Sequence, residues 1–179
     1  MTDSSSKNSD CILPAELVSL ARRVVAENRA IGRKVAIAES CTGGLVSAAL
    51  TEIPGSSAVF EAGFVTYSNA QKVRLLGVSE DVLDAFGAVS IATAWAMAQG
   101  ALERSQADVA VSITGVAGPD GGTELKPVGT VVFARAEKGM SDSDAVADLR
   151  RFEDEGRAKI RLQAALCALE LLLPEPPSP

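Results

Sequence analysis

The chain has 179 residues, 47% of them apolar and 22% charged, with a formal net charge of -6 and no histidine. That length supports one well-buried core but not two ordinary domains. The acidic balance without clustered Lys and Arg disfavours broad contact with nucleic acid, and no apolar run approaches the roughly 18–20 residues of a membrane span.

In chain order, residues 1–12 are polar and serine-rich without the apolar stretch of a secretory signal, so a disordered lead and a cytoplasmic location are expected. One domain is expected over 13–173, with a flexible proline-rich tail at 174–179. Pro14 suits a helix start, and Leu17, Leu20, Ala21, Val24 and Val25 recur at helical spacing until Gly32. Lys34 to Ala38 reads as a buried strand and Leu45 to Ile53 as a helix stopped by Pro54-Gly55. Val59 to Tyr67 reads as a strand with a bulge or a close backbone approach at Gly63. Asn69 is a candidate cap for a short helix through Lys72 to Leu76, and a second short helix follows near Asp81 to Phe86.

Ser90 opens an alanine-rich helix to about Arg104, and Val109 to Ile113 is a second buried strand. Strands at Thr130 to Ala134 and near Val146 to Phe152 follow, then a last helix from about Gly156 to Leu173. Strands alternating with helices predict an α/β fold, a three-layer α/β/α sandwich with a mostly parallel or mixed central sheet. Ligands in such sheets gather beyond the carboxyl ends of the strands. The turns at 39–44, 67–72 and 114–122 are therefore the places to look.

Ser40 stands where a strand gives way to a helix, and the backbone N–H groups of Thr42, Gly43 and Gly44 are candidates to meet a developing negative charge. A plain helix cap by Ser40 or Thr42 fits the same spacing. Without histidine, a serine nucleophile needs another base, and Lys72 with Tyr67 at a separate strand end is the favoured choice. Such a lysine needs its pKa lowered from about 10.4 towards roughly 7–8; a solvated surface lysine is the alternative. The loop Thr114 to Gly122 can form an anion-binding concavity or a plain connection, and it matches neither the Walker pattern nor the dinucleotide fingerprint. Arg157 and Arg161 lie one helical turn apart, a spacing that fits either a phosphate clamp or a solvated basic face. Cys11, Cys41 and Cys167 are odd in number and far apart, which argues against disulfides and a zinc site. Cys41 is a rival nucleophile by chemistry.

The motifs Ala38-Glu39-Ser40-Cys41-Thr42-Gly43-Gly44, Pro54-Gly55-Ser56-Ser57, Val65-Thr66-Tyr67-Ser68-Asn69, Gly87-Ala88-Val89-Ser90, Thr114-Gly115-Val116-Ala117-Gly118-Pro119 and Lys126-Pro127-Val128-Gly129 occur in one order. With Lys72 and the run Leu75-Leu76-Gly77-Val78, they strongly resemble the CinA C-terminal domain family over roughly residues 14–173. The resemblance implies nicotinamide-nucleotide amidohydrolase activity: deamidation of nicotinamide mononucleotide to nicotinate mononucleotide and ammonia, a step of pyridine-nucleotide salvage, in a stand-alone form of the domain. It implies Ser40 as nucleophile, Tyr67 and Lys72 as its activating partners, and Thr42, Gly43, Gly44, Thr114, Gly115, Ala117 and Gly118 as ligand-facing positions. Many relatives place Gly-Asp-Arg where this chain reads Glu155-Gly156-Arg157, so Arg157 is retained as a substrate-binding candidate. The resemblance also implies a small-molecule pyridine-nucleotide partner, no cofactor, no metal, no nucleic acid, no membrane and a symmetric homo-oligomer. The helix from Ser90 to Arg104 is a candidate interface, although burial inside the monomer explains its composition equally well. A non-catalytic nucleotide-binding or regulatory module, tied to competence or DNA damage, is the alternative from a different class.

Overall fold

A computed structural model describes residues 11–140 and 146–175. Most of the expected lead and tail, residues 1–10 and 176–179, lies outside the described residues. In chain order the elements are α1 (Ala15–Ala30), β1 (Val35–Glu39), α2 (Leu45–Thr51), a 3-10 turn (Ser56–Ala58), β2 (Phe60–Val65) and α3 (Asn69–Leu76). There follow α4 (Glu80–Phe86), α5 (Ile91–Glu103), β3 (Val109–Gly115), β4 (Thr130–Glu137), β5 (Val146–Arg151) and α6 (Arg157–Leu171). No helix among the described residues is long and apolar enough to cross a membrane.

The strands form one sheet in the order β2-β1-β3-β4-β5. β1 runs parallel to β2 and β3, while β4 is antiparallel to β3 and to β5. The sheet is therefore mixed, as the alternation of strands and helices leads one to expect, and its two faces differ in side-chain size. Val35, Ile37, Val109, Val111, Ile113, Val131 and Phe133 face α1, α2 and α6. Ala36, Ala38, Ala110, Val132, Ala134 and Ala136 face the other way, towards α3, α4 and α5. Small side chains on that second face let α5 lie close to the sheet. The same closeness explains Gly100, where an added Cβ would stand 1.9 Å from the Leu76 carbonyl oxygen.

Local chemistry accounts for most element ends. Gly77 closes α3 at φ 70°, the left-handed conformation that glycine adopts without strain. Ser90 caps α5, its Oγ accepting from the Thr93 N–H at 3.1 Å. The cap of α3 is Ser68 rather than the expected Asn69, its Oγ accepting from the Gln71 N–H at 3.3 Å. At β2 the register irregularity falls between Val35 and Ala36 of β1, where Phe60 and then Ala62 are the partners, so Glu61 is the extra residue. Gly63 is instead the close approach, with the Ser47 side chain filling the space a Cβ would need. Thr93, Ala94, Met97, Ala98, Gly100 and Ala101 of α5 are buried within this chain, so monomer packing accounts for that face of the helix.

Candidate active site

The chain leaves β1 for β2 through α2 on one face and reaches β3, on the other side of β1, through α3 to α5 on the opposite face. The carboxyl end of β1 is thus a topological switch point, where a crevice opens between connections that diverge. Ser40 is the first residue beyond β1. Its N–H donates to the Ile113 carbonyl of β3 at 2.9 Å, and the Thr66 N–H donates to the Glu39 carbonyl at 2.8 Å, so both neighbouring strands hold the turn.

Lys72 enters from α3 and is 1% exposed. Its Nζ lies 3.0 Å from Ser40 Oγ and donates to the Thr66 carbonyl at 2.8 Å. Neither partner is a carboxylate, and burial pushes the lysine pKa below its ordinary value, with the nearby Cys41 opposing the shift. Losing its proton costs such a lysine less than it costs a solvated one, and the neutral amine would present a lone pair to Ser40 Oγ while an N–H stays on the Thr66 carbonyl. Lys72 is thus buried beside Ser40 and is not a solvated surface lysine. Cys41 is 5% exposed, and burial pushes its thiol up to about 11, which keeps it protonated near neutral pH and weak as a nucleophile.

Sequence reasoning missed Glu39. Its carboxylate is fully buried, with Oε2 accepting from the N–H groups of Gly44 at 2.9 Å and Val46 at 3.2 Å. Oε1 accepts from the Ser47 N–H at 2.9 Å and from Ser47 Oγ at 2.7 Å. The start of α2 is therefore satisfied by an anion of the chain itself, across a five-residue offset that no local capping pattern describes. An acid beside a glycine-rich turn was the available signal.

Two of the three expected oxyanion donors, the Gly43 and Gly44 N–H groups, are engaged within the turn. Gly44 N–H is spent on Glu39, Gly43 N–H donates to the Ser40 carbonyl at 3.0 Å, and the Thr42 side chain is buried with its Oγ1 unpartnered among the described residues. None of Thr42, Gly43 and Gly44 lines the cleft. Arg161 is not half of a phosphate clamp either. Its guanidinium donates to the carbonyls of Cys41 at 3.2 Å and Thr42 at 2.8 Å, bracing the turn from α6.

The cleft has a volume of about 220 Å³ and brings Ser40, Cys41, Tyr67, Asn69 and Lys72 together with Ala88, Val89, Thr114, Gly115, Ala117 and Arg157. Thr114 Oγ1 donates to the Ala88 carbonyl at 2.8 Å and ties the Gly87 to Ser90 segment to β3. Arg157 donates to the Gly118 carbonyl at 2.7 Å and to the Tyr67 hydroxyl at 2.8 Å. Tyr67 accordingly stands on the cleft wall, 61% exposed and bonded to Arg157, not to Ser40 or Lys72. Gly118 lies behind Arg157 and not on the lining. Asn69, Ala88 and Val89 are lining residues that sequence reasoning did not place there.

The family described as "CinA C-terminal domain" matches residues 17–175 of the chain. The nicotinamide-nucleotide amidohydrolase PncC of Enterobacter agglomerans is 50% identical over 159 residues, covering 89% of this chain and 94% of that protein. The PncC of Pseudomonas putida is 48% identical, covering 88% and 95%. Other relatives are longer: the chain spans 27% of one from Symbiobacterium thermophilum and 35% of the CinA-like protein of Endomicrobium trichonymphae. Among solved structures, the competence/damage inducible protein CihA from Agrobacterium tumefaciens superposes with a TM-score of 0.86 at 48% identity, covering 90% of this chain and 96% of that one.

Proposed function

The chain belongs to the CinA C-terminal domain family, and from that premise we propose that it hydrolyses the carboxamide of nicotinamide mononucleotide to nicotinate mononucleotide and ammonia, with Ser40 as nucleophile and Lys72 as its base. The observation that carries the chemistry is the 3.0 Å approach of a buried, carboxylate-free Lys72 Nζ to Ser40 Oγ. The substrate is supported by the two PncC relatives, nicotinamide-nucleotide amidohydrolases nearly all of whose length this chain covers.

In this reading Ser40 Oγ bonds to the amide carbon as its proton passes to Lys72 Nζ. The positive charge that the lysine gains sits beside the developing oxyanion and helps stabilise it. Lys72 then gives the proton to the leaving nitrogen, the C–N bond breaks, and ammonia departs. Water attacks the acyl-enzyme with Lys72 again taking a proton, and release of the carboxylate restores the Ser40 hydroxyl. The cleft of about 220 Å³ takes the pyridine ring and its carboxamide. The ribose phosphate extends to the rim, where Arg157 exchanges the Gly118 carbonyl or Tyr67 hydroxyl for phosphate oxygens. Thr114, Gly115 and Ala117 form the wall against the ring.

The proposal includes a cytoplasmic location, a symmetric homo-oligomer, and a partner set restricted to small pyridine nucleotides without nucleic acid or membrane. Purified protein offered nicotinamide mononucleotide should release one ammonia per nicotinate mononucleotide. A Ser40→Ala variant should bind the nucleotide without turning it over. Binding without ammonia release by the unaltered chain would leave a nucleotide-sensing module in its place.

A further inference from the structure

The cleft is graded from floor to mouth. Ser40, Cys41, Lys72 and Thr114 are buried at its floor, whereas Tyr67, Asn69 and Arg157 are exposed at its mouth. Its hydroxyl, amine and guanidinium groups are already paired. Lys72 holds Ser40 and the Thr66 carbonyl, Thr114 donates to the Ala88 carbonyl, and Arg157 donates to Tyr67 and to the Gly118 carbonyl. The Asn69 carboxamide, by contrast, has no hydrogen-bond partner among the described residues. Asn69 follows the Ser68 cap as the first residue of α3 and precedes Lys72 by three residues, so both side chains leave the same face of the helix. On its other side Asn69 borders a second concavity, whose wall carries Glu80 and Asp84 of α4.

We propose that Asn69 is a specificity-determining residue that reads the ribose hydroxyls of the nucleotide. The inference rests on the amidase reading, which sets the reacting carboxamide at the buried floor beside Ser40. The pyridine ring then carries the ribose and its phosphate to the mouth of the cleft. There the phosphate is drawn to the Arg157 guanidinium and kept from the Asn69 side by the Glu80 and Asp84 carboxylates. The uncharged ribose is left to Asn69. A side-chain amide offers one acceptor oxygen and two N–H donors, which match a vicinal diol whose hydroxyls both give and take hydrogen bonds. Because Asn69 spends none of these groups on the described chain, no internal hydrogen bond has to break when the diol arrives, unlike at Arg157. A substrate without the hydroxyls leaves the exposed Asn69 amide to water, so the discrimination is moderate rather than absolute.

Rates of ammonia release should be compared for nicotinamide mononucleotide, its 2′,3′-dideoxyribose analogue and the riboside that lacks the phosphate. For the unaltered chain, removing both hydroxyls should lower kcat/KM by roughly 10- to 100-fold, the loss of one or two neutral hydrogen bonds. Asn69→Ala should lose a similar factor on the full nucleotide and no more than about twofold further on the dideoxy analogue, because the same contact cannot be lost twice. Its penalty for losing the phosphate should equal that of the unaltered chain. An unaltered chain indifferent to the hydroxyls would overturn the proposal. So would an Asn69→Ala variant that slows on both nucleotides alike and still rejects the dideoxy analogue, which is what a purely structural part in α3 predicts, or one that loses discrimination for the phosphate instead. If the unaltered chain releases no ammonia, the amidase reading fails by itself. Dissociation constants for the same nucleotides, measured by calorimetry on the unaltered chain and on Asn69→Ala, then make the same comparison, and absence of binding overturns both.

Discussion

Two buried cation sites occupy opposite ends of the sheet, and they are built differently. Beyond the amino end of β1, Arg33 donates to the Leu172 carbonyl at 2.8 Å and to Asn28 Oδ1 at 2.7 Å, and pairs with Glu137 at 3.4 Å. Arg135, 9% exposed, pairs with the same Glu137 carboxylate and with Glu175. At the carboxyl end, Lys72 is more deeply buried, yet its hydrogen-bond partners are a hydroxyl and a carbonyl. Glu39, the acid next to Ser40 in sequence, is committed to the amides of α2 and to Ser47. Guanidinium stays charged at any accessible pH and needs its carboxylate, whereas an amine without one can give up its proton. One end of the sheet uses charge-paired guanidinium groups to hold α1, β4 and α6 together, and the other holds a buried amine with no carboxylate among its hydrogen-bond partners.

Breaking the reactive end should have the largest effect. Ser40→Ala is expected to lower kcat by roughly 10,000-fold or more, and Lys72→Met by roughly 1,000-fold, both measured as ammonia release. The two ends should then separate in stability. Because burial lowers the Lys72 pKa, the unfolded chain binds more protons than the folded one between that lowered value and 10.5. Stability therefore rises with pH through that window, and the full cost of the charged lysine is carried below it. Lys72→Met should remove that cost and stabilise the fold by roughly 0.5–2 kcal/mol near neutral pH, more than at high pH, in denaturant titrations. A destabilised Lys72→Met variant would contradict the contrast.

Glu137→Ala should do the reverse, costing roughly 1–3 kcal/mol by stranding Arg135 and Arg33 while leaving turnover intact. Asn69→Asp would place a carboxylate on the cleft wall near Lys72, and it should move the acid limb of the kcat profile upward by on the order of one pH unit. Gly63→Ala should act on stability through the Glu39 network. Its Cβ would stand 2.4 Å from Ser47 Oγ, and turning that hydroxyl away from Glu39 should cost about 1–2 kcal/mol in stability.

Much of the fold was legible because its signals are local. Valine and isoleucine runs marked β1 and β3, and Gly77 and Ser90 marked helix ends through conformations or hydrogen bonds made within a few residues. Ser40 and Lys72 were legible as candidates for the same reason: a strand end before a glycine-rich turn, and a lysine on a short helix after another strand end. The failures involve partners that no standard capping or spacing pattern supplies. Gly43 and Gly44 looked like free amides because the acid that occupies Gly44 reaches it by folding back from β1. Arg161 looked like a clamp because its carbonyl partners, Cys41 and Thr42, lie over a hundred residues away in sequence. Tyr67 looked like a partner of Lys72 until Arg157 of α6 proved to hold its hydroxyl.

Periodicity and turn chemistry were enough to establish an α/β chain, and the absence of histidine means that any hydroxyl chemistry in it would run on a base other than imidazole. Strand order and register decided the rest. They put β2 and β3 on either side of β1, brought Lys72 within 3.0 Å of Ser40, committed Glu39 to the α2 amides, and left β5 at an open edge. The strand pairings and the Lys72–Ser40 contact join segments tens of residues apart, and their existence depends on packing free energies summed over the whole sheet rather than on the preferences of the residues that make them.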